Sequence, residues 1–190
     1  MIGKKNIAFG FLYLVLTASL GPYMIVSEFG AVSEAQSLKQ TKLSALQGIS
    51  SNGFLDDELN PLSAEQLAQT NTGAILALSA SQNSRGRVDA IKSGPHAHGN
   101  LEATLNILAG IVLCFLAVPV VFKQAISWVF IAGAILHSGV SYMAAALEMG
   151  WAYAWLGSPL ALIGPVLVLA GFAMIGIATI IGFRGELIRD

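Results

Sequence analysis

Four stretches of 20 or more residues carry no Asp, Glu, Lys or Arg: residues 6–27, 103–122, 124–147 and 149–183. A helix crosses the hydrocarbon core of a bilayer with roughly 20 mainly apolar residues. The windows therefore predict four transmembrane helices. The last is too long for one span and divides at Gly157-Ser158-Pro159, where Ser158 can cap a helix and Pro159 can occupy its first turn. The spans are expected near 6–27, 99–121, 124–147 and 159–183. The fold expected is all-α: a four-helix transmembrane bundle with a partly helical extramembrane segment. Three regions follow: a first transmembrane helix at 1–27, an extracytoplasmic segment at 28–98, and a three-helix transmembrane region with short links and a cytoplasmic tail at 99–190.

Composition narrows the function. Of 190 residues, 55% are hydrophobic and 11% charged, and mean hydropathy is +0.69. Soluble domains carry about 25% charged residues. Ten basic against eleven acidic residues leave a net charge of -1, so no basic excess meets phosphates and no nucleic-acid partner is expected. The single Cys114 excludes an intrachain disulfide framework and a cysteine-cluster metal site. Lys4-Lys5 before Asn6–Leu20 has the start of a signal peptide, but the apolar run continues through Val26, which predicts a retained helix. Lys4, Lys5, Lys123, Arg184 and Arg189 flank the spans on one side, and the 148–157 link has no basic residue. The positive-inside rule then puts both termini in the cytoplasm and 28–98 outside, in a multi-pass protein of a bacterial inner membrane.

The outer segment reads as two helices and their loops. Val32, Ala35, Leu38, Leu43 and Leu46 form an imperfect stripe over Ala31–Gln47, and Gly48–Gly53 reads as a turn. Asp56-Asp57-Glu58 has no calcium-ligand spacing and reads as a solvated loop. Ser63-x-x-Gln66 has capping-box spacing and starts a helix expected over about 63–80. Gln82–Gly94 is polar and contains glycine, so a loop is expected there.

Chemistry is expected where polar groups enter the spans, since ionisable side chains there are costly. His98, Glu102 and Asn106 are spaced four apart and share one helix face, with Gly99 and Gly110 beside it to admit a backbone or a flat ligand. That face should turn inward. The third span brings His137, Ser138, Ser141 and Tyr142. At 1.5 Å per residue, His137 lies about 15 Å from the outer end of its span and Asn106 about 12 Å from His98, so the two are expected at similar depth. Tyr23, Trp151, Tyr153 and Trp155 read as an interfacial aromatic belt. Neutral imidazole is a good ligand for transition metals. His98 and His137 are the candidate metal ligands. Haem needs only one axial His and a flat apolar slot, for which His98, His96 and Gly99 are the candidate binding residues.

The run Gly94-Pro95-His96-Ala97-His98-Gly99, with Asn106 deeper in the helix, an apolar stretch ending at Pro119, and Ser138-Gly139-Val140-Ser141-Tyr142 in the third span, resembles the styrene oxide isomerases. These are small four-span membrane proteins. The resemblance implies a trimer holding haem b between subunits on an axial His, His96 or His98, and a small apolar epoxide opened to an aldehyde. Asn106 and Tyr142 would line the substrate pocket. Glu102, added from the polar stripe, joins them as a candidate catalytic residue. His98-x-x-x-Glu102 is also similar to the motif of the emopamil-binding sterol isomerases, which work without a metal. A third reading, from the packing residues alone, is a cofactor-free accessory subunit of a larger membrane complex.

Overall fold

The computed structural model describes residues 1–55 and 58–188. The all-α expectation holds, but the four-span bundle does not. Among the described residues the chain forms six helical runs: α1 (Gly3–Ser27), α2 (Phe29–Ser51), α3 (residues 64–113), α4 (Val120–Ala145), α5 (Gly150–Leu156) and α6 (Pro159–Gly182). Among the described residues, only α1, α4 and α6 are long and apolar enough to cross a membrane. The span expected at 99–121 fails on hydropathy: the helix that contains it is long enough, but His96, His98, Asn100, Glu102 and Asn106 make its last turns too polar. Beyond Leu113 the chain leaves the helix and does not re-enter one until Val120.

Two compact units are present. The first comprises Met1–Gly21 with Ala90–Asp190, and the second Pro22–Asp89.

In the first unit, α1 buries Gly3, Asn6, Gly10, Tyr13 and Thr17. The spacing alternates three and four, the heptad seam of a coiled coil, yet its residues are small or polar. The facing part of α3 buries Gly99, Ala103, Asn106, Gly110 and Leu113 at the same alternation. The helices run antiparallel, with Gly3 against Gly110, Gly10 against Ala103 and Thr17 against Gly99. A Cβ on Gly10 would lie 2.6 Å from the Ala103 carbonyl oxygen, so the backbones touch. Gly99 and Gly110 thus admit a neighbouring helix, α1. Large apolar side chains point outward instead: Ile180 is 88% exposed, Val121 80% and Leu12 74%. Small and polar inside with apolar outside is the arrangement of helices packed in lipid. A conventional apolar cluster of Ala109, Leu113, Leu116, Ile126, Phe130 and Ala178 holds α3, α4 and α6 together.

The non-helical stretch after Leu113 has its backbone groups satisfied by the tail. Arg184 and Ile188 donate their N–H groups to the carbonyls of Phe115 and Cys114, both at 2.8 Å, and Ala117 N–H donates to Gly182 at 2.7 Å. At the start of α6, Ser158 Oγ accepts from Leu160 N at 3.3 Å with Pro159 beside it, as the sequence predicts.

In the second unit, α2 and the first part of α3 form an antiparallel hairpin. Arg85 donates to Gln36 Oε1 at 2.9 Å, and Arg87 pairs with Glu28 at 3.1 Å. The inward stripe of α2 is Val32, Ala35, Lys39, Leu43, Leu46 and Ile49, while Leu38 faces out. Gln82–Gly94, expected as a loop, is helical. Ala74, Ala77, Ser81, Ser84 and Val88 carry a heptad seam into it, which overrides the local preference of its polar residues. The turn expected over Gly48–Gly53 comes later: the helix continues through Ser51, and the chain turns at Asn52–Phe54, with Gly53 at φ 68°. Asp56 and Asp57 lie outside the described residues. The capping box is formed: Ser63 N–H donates to Gln66 Oε1 at 2.8 Å and Gln66 N–H to Ser63 Oγ at 3.2 Å. Ser63→Ala is therefore expected to cost about 1 kcal/mol and to speed amide exchange over residues 64–67. Unchanged exchange there would show that the cap contributes nothing.

Candidate functional site

All three histidines lie where a helix widens into a π turn. Lys92–His98 contains His96 and His98, and Ile135–Gly139 contains His137. Pro95 explains the first: it has no N–H to give, and a helix accommodates it by kinking or widening. Such π turns often mark functional positions. The second brings the Ala134 carbonyl within 3.3 Å of the Tyr13 hydroxyl and 3.2 Å of the Ser138 hydroxyl.

The polar stripe of α3 turns inward, one residue at a time. Glu102 and Asn106 are buried, at 4% and 1% exposure, and His98 sits at the outer edge. Glu102 meets α4: its Oε1 is 2.6 Å from His137 Nδ1, and its Oε2 accepts a close hydrogen bond from Ser138 Oγ. Ser138 Oγ is in turn 2.8 Å from the Tyr13 hydroxyl on α1. His98 and His137 come together with ring centroids 4.8 Å apart. These two rings and Glu102 stand at one wall of a cleft of about 340 Å³, whose other lining is Leu101, Leu105, Pro165, Val168, Leu169 and Phe172. Phe172 is braced edge-on against Phe130 at 5.5 Å.

The remaining sequence candidates go elsewhere. Asn106 has its amide committed: it accepts from Asn6 Nδ2 at 3.0 Å and donates to the carbonyls of Glu102 at 3.0 Å and Phe130 at 3.3 Å. Ser127 Oγ donates to Asn6 Oδ1, completing a buried knot of α1, α3 and α4. The expected equal depth of Asn106 and His137 is off by a turn, because His137 is level with Glu102. His96 places Nδ1 3.1 Å from the Thr17 carbonyl, against α1 and away from the cleft. Gly99 packs on Thr17. Tyr142 is half-buried and lines no part of the cleft. Within His98-x-x-x-Glu102, the acid pairs with His137 and not with His98. Sequence reasoning missed Tyr13 and Asn6. The signal was the alternating three-and-four spacing of Gly3, Asn6, Gly10, Tyr13 and Thr17.

Among the described residues no group of three His, Cys, Asp or Glu is placed to hold a metal ion. No family model, curated protein or solved structure matches the chain. The resemblance to the styrene oxide isomerases is overturned by the architecture: three helices of spanning length within a six-helix fold replace the four-span bundle on which it rests. Fold and surface define an all-α protein with the apolar helices of a membrane protein.

Proposed function

We propose that this integral membrane protein binds a lipid-soluble molecule in the cleft, with the molecule's one polar group against His137. The observation that carries the reading is the 2.6 Å contact of His137 Nδ1 with the buried Glu102, beside walls that are otherwise aliphatic and aromatic. A pocket of this kind takes apolar ligands and orients them by a few placed polar groups. Leu101, Leu169 and Phe172 on its rim are exposed on the apolar outer face, which supports entry sideways from the bilayer. The test is to follow the imidazole signals of ¹⁵N-histidine-labelled protein in lipid nanodiscs while adding 1-dodecanol. His137 is expected to shift saturably, and His137→Ala to weaken binding about tenfold or more. Signals that stay put at saturating dodecanol reject the reading.

Haem b is the second reading. A metal-ligating imidazole usually donates its other N–H to a carboxylate, and Glu102 stands in that place for His137. Two imidazoles on opposite faces of one iron need ring centroids roughly 6 Å apart, from two bonds of about 2 Å and the ring radii. His98 and His137 are closer than that, so haem would take one of them. Added haemin is then expected to give a Soret band that His137→Ala abolishes and His98→Ala retains. A spectrum unchanged by haemin ends this reading, and the reverse pattern assigns the iron to His98.

The sidedness is also a proposal. Lys5 Nζ lies 2.9 Å from Gln124 Oε1 and 4.0 Å over the Trp128 ring, and Arg184 is bonded to the stretch after Leu113. Lys4, Lys5, Lys123 and Arg184 thus gather at one end of the first unit, supporting a cytoplasmic placement of that end.

A further inference from the structure

The hydrogen bonds around Glu102 have a direction, and the direction constrains what the cleft can accept. A hydroxyl has one proton to give. Ser138 spends its proton on Glu102 Oε2, so at its 2.8 Å contact it accepts from Tyr13. Glu102 Oε1 then receives the remaining donor, the Nδ1–H of His137. The chain reads Tyr13 to Ser138 to Glu102 from one side and His137 to Glu102 from the other. A neutral imidazole that donates from Nδ1 carries a bare lone pair on Nε2. Among the described residues Nε2 of His137 has no protein partner, and the ring stands in the cleft wall. A hydroxyl that accepts a hydrogen bond donates more strongly; breaking the chain at Tyr13 weakens the bond Ser138 gives Glu102 and lets the Ala134 carbonyl, 3.2 Å away, compete for the Ser138 proton.

Resting on the ligand-binding reading above, we infer that Tyr13, acting through Ser138 and Glu102, holds His137 in the Nδ1–H tautomer, so that the cleft selects lipid-soluble molecules that donate a hydrogen bond. Alcohols and phenols fit; ethers and ketones of the same shape do not. Tyr13 is a positioning residue here, since it lines no part of the cleft.

Two measurements test this. In ¹⁵N-histidine spectra of the ligand-free protein, His137 is expected to be protonated at Nδ1. Tyr13→Phe and Ser138→Ala, which take support from the carboxylate, are each expected to populate the Nε2–H form, in which Glu102 carries a proton taken from water and donates it to Nδ1; Tyr13→Phe keeps the ring that packs in the seam. A wild-type Nε2–H tautomer, or one unmoved in both variants, overturns the inference. In titrations, 1-dodecanol is expected to bind about tenfold or more tightly than its methyl ether, and Tyr13→Phe to erase that preference. Equal binding of alcohol and ether overturns the inference and leaves the ligand site standing. Binding of neither overturns the ligand site, while the spectra still decide the tautomer.

Discussion

Gly10→Val is expected to be among the most damaging single changes in the molecule. The new Cβ would fall 2.6 Å from the Ala103 carbonyl oxygen and the same distance from the Ile107 side chain, with the Ile107 backbone nitrogen at 3.0 Å. An isoleucine can turn aside, but a carbonyl in the facing helix moves only with its backbone. Separating α1 from α3 also stretches the Asn6–Asn106 and Thr17–Asn100 bonds, which lie on either side of Gly10 along the seam. Overpacking of this kind costs typically about 1–3 kcal/mol, with the lost polar contacts added. Denaturant unfolding in mixed micelles measures it. Gly30→Val is the control, because a Cβ there meets nothing within 4 Å, and its change should stay within about 0.5 kcal/mol. Equal stabilities for the two variants would show that the close approach is not holding the helices together.

Glu102→Leu is expected to remove ligand binding while leaving a folded protein. The substitution deprives two donors of their acceptor. Ser138 recovers by turning to the Ala134 carbonyl, and only the Nδ1–H of His137 is stranded, on a side chain that is 26% exposed. One unsatisfied donor costs about 1–3 kcal/mol, and removing a buried acid from an apolar layer offsets part of it. The ring, however, loses its orientation. Dodecanol affinity should fall about tenfold or more with the helical content unchanged, as read by the nanodisc titration and far-UV circular dichroism. Glu102→Gln, which can still accept at one oxygen, should fall between. Wild-type affinity in Glu102→Leu would remove His137 orientation from the account of the site.

Sequence legibility divides along physical lines. Solvation by lipid writes itself plainly in a chain, so α1, α4 and α6 could be located from the gaps between charges. Local caps were equally visible at Ser63 and Ser158. The misplaced span at 99–121 shows the limit of that reasoning: a charge-free window of sufficient length can end in non-helical chain when tail residues such as Arg184 and Ile188 are there to satisfy its carbonyls. The inward turn of Glu102 followed from their shared face and its cost in lipid. Its partner did not, because the Glu102–His137 pairing depends on the register of α4 on α3 and on two π turns that no periodicity of 3.6 contains. Asn106 misled for a related reason. A lone amide in a span looks the same whether it faces a cavity or ties helices together, and only the partner Asn6 decides.

A π turn is an α-helix carrying one residue more than its neighbours require. The helix on either side of His137 is regular, so loss of a single amino acid within Ile135–Gly139 would restore the ordinary winding without breaking the helix. The flanking helices would then keep their faces aligned, and the shift would fall on the side chains inside the turn: a deletion just before His137 would carry the imidazole off its carboxylate while the helix itself stayed whole. One codon separates a working orientation from an inert one, with almost no change in fold between them.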